Sequence, residues 1–264
     1  MDTNLSTLGA PATCVRARVS AEEWAVRTDL AACYRLVARY GMSDLIYNHI
    51  TAKVPGRDGH FLINPFGMLY TEITASCFYT LDFDGAIVDQ PDTDFPVNSA
   101  GFVIHSAVHR ARPDLQCVMH THTRAGMAVS TLRDGLLPLT QTAMRFYGSI
   151  GYHDYEVPTA DISERERLAS DLGRHQALVL RNHGLLAGGA TVAEAFNLMY
   201  WLETACKVQV DALAMGRDLH LPSHELATRM AHRYAPQGAN VNFSGIEWRA
   251  LLRQMDREDP SFRD

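Results

Sequence analysis

Hydrophobic residues in this chain follow a helical period in some segments and form short strand-like runs in others. The first helix is predicted to begin at Ser20 and Glu23, because this pair forms a capping box that satisfies free backbone N–H groups. Its apolar positions and the glycine expected to end it are Trp24, Leu30, Tyr34, Val37 and Gly41. Further helices are predicted over 102–111, from Ser163 to Gly173, from Thr191 to about Gly216, and from a capping box at Ser244 and Glu247 onward.

Short apolar runs predict strands at 50–54, 61–64, 115–123 and 177–180, with a strand-like stretch at 135–139. The dipeptide Asp84-Gly85 is a strong signal for a hairpin turn within 82–88. Because helices and strands mix without regular alternation, we predict one layered α/β domain with a helical C-terminal tail. The predicted boundaries are a flexible arm over 1–19, the domain over 20–220 and the tail over 221–264.

The composition narrows the class of protein. With 264 residues, 47% hydrophobic and 20% charged, the chain can form a sizeable core, so extensive disorder is excluded. A net charge of -6 disfavours general binding to nucleic acid or to anionic membranes. We find no apolar run approaching the ~18 residues of a membrane span, and the N-terminus lacks the apolar region of a secretory signal. Five scattered cysteines argue against a disulfide framework, so a cytoplasmic location is expected.

Histidines provide the candidate chemistry. His120 and His122 lie two apart near the end of a predicted strand, so their imidazoles are expected on one face and close enough to bind one divalent ion. His183 follows a second apolar strand, before a glycine that predicts a sharp turn. Three histidines leave coordination positions open, as in catalytic metal sites, although the H-x-H pattern on its own also occurs by chance. Three other histidines are expected to be helix caps or surface residues: His109, His175 and His232.

Several motifs in order make the chain resemble the class II aldolase/adducin family from about Trp24 to Gly216. In chain order, the residues of these motifs include Asn48-His49-Ile50-Thr51, Asn64-Pro65-Phe66-Gly67, Glu72-Ile73-Thr74, Ile104-His105-Ser106, Arg112-Pro113-Asp114, His120-Thr121-His122, Tyr152-His153-Asp154 and Leu180-Arg181-Asn182-His183-Gly184. The residues in these motifs are more similar to those of adducin heads and their bacterial relatives than to those of sugar-phosphate aldolases.

The resemblance implies a three-layer α/β/α sandwich around a mainly antiparallel sheet. It implies a homotetramer with active sites between subunits, and one divalent metal, zinc first and iron or manganese as alternatives, on His120, His122 and His183. It also implies a small-molecule substrate. The substrate-binding positions it suggests are Asn48, Asn64, Phe66, Gly67, Gly101 and Gln141.

One departure from the family pattern concerns the catalytic carboxylate. The aldolases carry a glutamate, a metal ligand and proton-transfer group, at the position of Gly101, and a glycine can serve neither purpose. We expect the vacated volume to hold water or ligand oxygen, and Gly101→Glu to tighten metal binding. The candidate replacements for the glutamate are His105, which lies one helical turn away, His49 and Tyr152, with His153 and Glu72 also considered. Hydroxyl groups of the aldolase phosphate pocket are also missing, and Phe66 replaces one, so a phosphorylated sugar is disfavoured.

Three functions remain open. The first is a metal-dependent lyase that cleaves a carbon–carbon bond or decarboxylates through a metal-stabilised enediolate, acting on a small non-phosphorylated hydroxy-carbonyl or carboxylate substrate. The second is a non-haem iron oxygenase that uses the same histidines on an aromatic or hydroxy acid. The third is a non-catalytic, adducin-like interaction module, which the loss of the glutamate favours.

Overall fold

The computed structural model describes residues 14–156, 162–235 and 242–264. The helices are α1 (Val15–Arg18), α2 (Ala21–Arg39), α3 (Ser99–Ala111), α4 (Arg124–Ser130), α5 (Gln141–Met144), α6 (Ile162–Leu172), α7 (Val192–Ala214), α8 (His224–Tyr234) and α9 (Phe243–Glu258). The strands are β1 (His49–Lys53), β2 (His60–Ile63), β3 (Tyr79–Asp82), β4 (Ile87–Asp89), β5 (Cys117–Thr121), β6 (Ile150–His153), β7 (Ala177–Leu180) and β8 (Gly184–Gly189).

The strands form one sheet in the order β4-β3-β2-β1-β5-β8-β7-β6. Neighbouring strands are antiparallel except β6 and β7, which are parallel. Helices α3 and α6 pack on one face, and α2, α4 and α7 pack on the other. The predicted α/β/α sandwich around a mainly antiparallel sheet is therefore confirmed.

Strand alternation divides the interior into two apolar layers. Ile50, Met119 and Val179 face α2 and α7, whereas Val118 and Leu178 face α3 and α6. The side chains of His49, Thr51 and His120 belong to the α3 face, because His49 pairs directly with His120 across the β1–β5 ladder. Polar groups therefore lie in the layer between the sheet and α3, and these groups build the site described below.

The helix ends agree with the sequence in some places. Ser20 accepts a hydrogen bond from the Glu23 backbone at the start of α2, and Thr191 does the same for Glu194 at the start of α7. The hairpin at Asp84-Gly85 joins β3 to β4 as predicted. These elements follow local rules of capping and turns that a sequence displays directly.

Other boundaries were predicted wrongly. Helix α6 begins at Ile162, so the predicted start at Ser163 falls within its first turn. Asn242, and not Ser244, caps α9 by accepting from the Gly245 backbone. The stretch 135–139 is irregular, whereas the glycine-rich stretch 184–189 is strand β8 in the middle of the sheet.

Both ends of the chain contain helices, and α1 is one that was not predicted from the sequence. The described end of the predicted flexible arm contains the short helix α1, and the rest of that arm lies outside the described residues. In the C-terminal tail, α8 packs on α5 and α9 packs on α7. Trp248 of α9 is buried and donates to Asp29 of α2 at 3.1 Å, so the tail is anchored on the α2–α7 layer.

Candidate metal centre

The topology brings three histidines to one edge of the sheet. Strands β5 and β7 both run antiparallel to β8, so their carboxyl ends lie at the same edge. His120 is in β5, His122 follows the end of that strand, and His183 lies in the short turn between β7 and β8. A Cβ at Gly184 would lie 2.3 Å from the Thr121 carbonyl oxygen, so the close approach of this turn to β5 requires glycine.

The three imidazoles direct their Nε2 atoms at one another. The Nε2 atom of His122 lies 2.7 Å from that of His120 and 2.9 Å from that of His183. The ligand atoms of all three residues lie within 4.8 Å of one another. The structure therefore brings together the three residues that the sequence predicts as metal ligands.

The opposite ring nitrogens fix the tautomers. Nδ1 of His120 lies 3.0 Å from the Leu185 carbonyl oxygen, and Nδ1 of His122 lies 3.2 Å from Oδ2 of Asp44. Since a carbonyl or carboxylate oxygen only accepts, both Nδ1 atoms carry the proton and both Nε2 atoms present lone pairs. Lone pairs that converge from neighbouring imidazoles are the donor arrangement that a divalent ion uses, so the donor set fits a divalent metal.

Burial favours the neutral form of two of these imidazoles, His120 and His183. It lowers the pKa of His120 well below the usual histidine value, and the neighbouring histidines add to the shift. Burial, with His122 and His153 nearby, lowers the pKa of His183 to about 4. A neutral imidazole is the form that binds a metal, so the environment favours the ligand state at neutral pH.

Asn48, a predicted substrate-binding residue, contacts the backbone of His122, one of the candidate metal ligands. It adopts a left-handed backbone conformation with φ 71°. In the amide orientation that satisfies both groups, its oxygen accepts from the His122 backbone N–H at 2.9 Å and its nitrogen donates to the Tyr47 carbonyl at 3.2 Å. Asn48 and Asp44 therefore hold His122 from two sides, and Asp44 was not singled out from the sequence.

The position of the missing glutamate is not vacant. A Cβ on Gly101 would lie 2.5 Å from Cδ2 and 2.7 Å from Cγ of His49. The expectation that this volume holds water or ligand oxygen is wrong, because the His49 imidazole occupies it. Glycine is needed at 101 for this ring to pack against the start of α3.

His49 lies beside the ligand histidines and is buried. Its ring centroid is 5.3 Å from that of His120. Burial lowers its pKa well below the usual value, and His105, His122 and His183 strengthen the effect. Its Nδ1 lies 2.8 Å from Nε2 of His105, so the two predicted catalytic histidines are directly hydrogen-bonded.

The hydrogen bonds continue beyond His105. Nδ1 of His105 lies 2.7 Å from Oγ1 of Thr51, and the same oxygen lies 2.7 Å from Nε2 of His109. The prediction that His109 is a cap or surface residue is wrong, because its side chain is buried. Burial lowers its pKa to about 3, with Lys53 adding to the shift and the Leu115 backbone opposing it.

Tyr152 lies on the opposite face of the sheet from His120. It pairs in register with Val179 of β7, whose side chain belongs to the α2–α7 layer. Its hydroxyl accepts from the Leu136 backbone at 3.1 Å, and the Arg181 guanidinium lies 4.4 Å from its ring centre. These contacts hold the 135–136 segment and give Tyr152 a structural environment.

The two other candidates for the glutamate have partners of their own. Nδ1 of His153 lies 2.7 Å from Oδ2 of Asp171. Glu72 is exposed and accepts from the Leu69 backbone at 2.7 Å. Of the five candidates for the glutamate, His49 lies beside the three candidate ligands, and His105 is hydrogen-bonded to it.

The remaining predicted substrate residues are mostly engaged within the chain. Asn64 is buried, accepts from the Tyr34 hydroxyl at 2.7 Å and donates to the Pro65 carbonyl at 3.1 Å. Gly67, at φ 131°, packs under the Phe95 ring, where a Cβ would lie 2.4 Å from Cδ1. The Phe66 ring is 5.9 Å from the Tyr47 ring.

Gln141 is also used inside the same chain. It lies at the start of α5 and donates to the Tyr234 hydroxyl of α8 at 2.9 Å. The structure thus gives this side chain an intramolecular partner at the point where α8 packs on α5.

The sequence contained a signal for Thr51 and His109, which were not predicted as site residues. His49 and Thr51 are two apart on β1, and His105 and His109 are four apart on α3, so each pair shares one face of its element. That the two faces meet was not evident, because it depends on the packing of α3 across β1.

Within the described residues, no helix combines the length and the apolar character that a membrane crossing requires. This finding concerns helices alone.

Comparison with known proteins identifies the family. Residues 28–210 match the family described as class II aldolase and adducin N-terminal domain, and the chain belongs to this family. A crystal structure of an aldolase II superfamily protein from Pseudomonas syringae is similar over 95% of this chain and 100% of that chain, with a TM-score of 0.90 and 48% identity.

Two further relatives carry more specific names. The L-fuculose 1-phosphate aldolase from Glaciozyma antarctica has a TM-score of 0.80 and 29% identity, over 90% of this chain and 92% of that one. Alpha-adducin of Mus musculus is 47% identical over 190 residues, which are 72% of this chain and 26% of adducin. This chain therefore spans about a quarter of the adducin's length.

Proposed function

We propose that this protein is a divalent-metal-dependent lyase that cleaves a carbon–carbon bond, or removes a carboxyl group, in a small non-phosphorylated hydroxy-carbonyl or carboxylate substrate. The observation that carries this proposal is the convergence of the Nε2 atoms of His120, His122 and His183 on one point. A divalent ion held there, zinc in the first instance, would polarise the substrate oxygens and stabilise the negative charge that bond cleavage leaves.

In this proposal the surrounding residues orient the ligands. The Leu185 carbonyl and Asp44 keep the Nδ1 protons of His120 and His122 in place, so that both Nε2 lone pairs remain directed inward. Asn48 holds the His122 backbone from the other side. Such partners of ligand histidines typically change metal affinity by about 10–100-fold when they are removed.

His49 is the residue that we propose for proton transfer. It occupies the space of a residue-101 side chain, its Nδ1 is bonded to His105, and its Nε2 makes no hydrogen bond within the described residues. That nitrogen is therefore available to give a proton to a bound substrate or to accept one. General acid–base catalysis of this kind contributes about 10²–10⁴-fold to a rate.

The preference for a non-phosphorylated substrate follows from how the predicted pocket residues are used. The amide groups of Asn48 and Asn64 are hydrogen-bonded inside the chain, and Gly67 is covered by Phe95. A phosphate dianion needs several free donors to offset the cost of removing it from water. The Glaciozyma antarctica relative is named for a sugar phosphate, so the substrate proposed here differs from the one in that name.

A non-catalytic interaction module is the second candidate, and one observation favours it. The chain is 47% identical to the matching part of an adducin. The inward-facing histidine trio supports the lyase over this alternative, because an interaction surface has no need for three imidazole nitrogens that converge on one point.

Metal analysis tests the proposed function. Protein purified anaerobically is expected to hold about one divalent ion per chain, and His183→Ala is expected to lose at least about 100-fold in metal affinity, more than an outer partner would cost. His232→Ala, at an exposed histidine on α8, is the matched control and should bind metal like the wild type.

The identity of the metal separates the three candidate functions. Bound zinc supports the lyase, and bound iron supports an oxygenase that uses the same histidines. A wild-type protein that binds no divalent metal, even when metal is supplied, would contradict both and support the interaction module. In the lyase case, fuculose, rhamnulose and ribulose phosphates should be cleaved far more slowly than the usual ~1–10³ s⁻¹ of enzymes, as measured by coupled aldehyde detection.

A further inference from the structure

Four buried side chains form a continuous line of hydrogen bonds that starts at the candidate metal centre. The line runs from His49 through His105 and Thr51 to His109, with donor–acceptor distances of 2.8, 2.7 and 2.7 Å. Two of its members come from β1 and two from α3, so it lies in the layer between the sheet and that helix. All four side chains are buried, so a donor or acceptor left without a partner in this line would be costly.

Each link of this line contains a single proton. A neutral imidazole has one N–H and one lone pair, and a threonine hydroxyl has one O–H. If His105 donates from Nε2 to His49, its Nδ1 must accept from Thr51, and Thr51 must then accept from His109. If His105 instead accepts from His49, every other link reverses too. The line therefore has two polarities, and the choice at one end dictates the choice at the other.

The two polarities present different groups to the metal centre. In the first, His49 carries its proton on Nε2 and offers an N–H. In the second, its proton is on Nδ1 and Nε2 offers a lone pair. At the outer end, Nδ1 of His109 is buried and makes no hydrogen bond of regular geometry within the described residues, and the nearby Leu115 backbone favours a proton on this ring without excluding either polarity.

We infer that His105, Thr51 and His109 form a tautomer relay that positions the proton of His49 and allows Nε2 of His49 to act as donor or acceptor. This inference rests on the proposed function for the role of His49, and the line of hydrogen bonds is independent of it. His105, Thr51 and His109 are positioning residues, because they act through His49.

The proton count of the relay balances. When Nε2 of His49 gives its proton to a bound molecule, the Nε2 proton of His105 moves to Nδ1 of His49. The Thr51 hydroxyl proton moves to Nδ1 of His105, and the Nε2 proton of His109 moves to Thr51. Uptake of one proton from water at Nδ1 of His109 completes the change. Each imidazole ends neutral, so no net charge is left in the buried layer.

The relay is tested by measuring the tautomer of each histidine by nuclear magnetic resonance. Long-range ¹H–¹⁵N correlation spectra of protein with ¹⁵N-labelled histidine report the fraction of each ring that carries its proton on Nε2. In the wild type, this fraction is expected to be equal at His49, His105 and His109. The measurement needs neither metal nor turnover, so its failure is distinguishable from failure of the proposed function.

Substitution of Thr51 isolates the central link. Thr51→Val keeps the shape of the side chain but removes the hydroxyl, so His109 should depart from the common fraction while His49 and His105 still agree. Thr51→Ser restores the hydroxyl and should restore the agreement. Thr80→Val is the matched control, because Thr80 is also a buried strand threonine but is bonded to Arg27, and it should leave the common fraction unchanged.

Two outcomes would overturn the relay. One is a wild-type protein in which the three histidines have clearly different Nε2–H fractions. The other is agreement among the three that persists in Thr51→Val, since the hydroxyl would then not couple them. Because the readout is a tautomer fraction and not stability, a merely structural role for Thr51 does not produce the expected pattern.

Discussion

At the scale of single residues, Gly101 and His49 behave as one unit. The glycine leaves no side chain at the start of α3, and the His49 ring fills the space from β1. The sequence shows that the glutamate is absent, but not what replaces it, because the replacement comes from an element 52 positions earlier in the chain. The pairing of His120 with His122 was predictable, since H-x-H spacing and strand alternation are local features.

This contact reverses the usual effect of a helical glycine. Replacing glycine with alanine inside a helix normally stabilises a protein by up to about 1 kcal/mol. Gly101→Ala should instead destabilise the fold by about 1–3 kcal/mol, because the new Cβ overlaps the His49 ring. Urea unfolding of metal-free protein measures the difference. The contact also removes the basis for expecting Gly101→Glu to tighten metal binding.

A double-mutant cycle provides the control for this substitution. In a His49→Ala background the ring is gone, so Gly101→Ala should be neutral or stabilising there. If Gly101→Ala stabilises the otherwise wild-type protein, the ring does not occupy the space beside residue 101.

At the scale of elements, the sequence predicts the middle of a helix or strand better than its first and last residues. Helix α7 and the β3–β4 hairpin were predictable because hydrophobic period and turn residues coincide. Strand β8 was not, because 184–189 contains three glycines that disfavour a strand unless neighbours approach closely. A Cβ at Gly189 would lie 2.4 Å from the Ala195 nitrogen, so tertiary packing on α7 explains glycine in this strand.

The start of α9 offers a test at this scale. Asn242 and Ser244 are both good capping residues, and the structure assigns the cap to Asn242, which accepts from the Gly245 backbone at 2.8 Å. Asn242→Ala should therefore cost about 1 kcal/mol in the free energy of unfolding. Ser244→Ala, the matched control, should cost much less, because its hydroxyl only donates to Asn242. Thermal or urea unfolding that ranks the two variants in the opposite order would contradict this cap.

At the scale of the whole molecule, the rim of the candidate metal centre carries exposed apolar side chains. Leu45 is 71% exposed beside Asp44, the partner of His122. Tyr47 is next to Asn48, and the exposed Tyr155 ring lies 6.0 Å from the His183 ring. Exposed apolar groups clustered around a site are typical of a protein interface. We therefore propose that this edge of the sheet is covered by another subunit in a homotetramer, as the family resemblance leads us to expect.

Leu45 allows this proposal to be tested without disturbing the fold. Its backbone is in the left-handed region at φ 49°, which aspartate tolerates better than leucine. Light scattering of the wild type should give about 117 kDa, four times the chain mass of 29.3 kDa. Leu45→Asp should shift the protein toward smaller species, because a charge at a buried apolar contact is costly.

Ile87→Asp is the matched control, since Ile87 is 52% exposed on the edge strand β4, and it should retain the tetramer. A wild-type mass near 29 kDa across a wide concentration range would exclude the tetramer. A tetramer that Leu45→Asp leaves intact would place the interface elsewhere on the molecule.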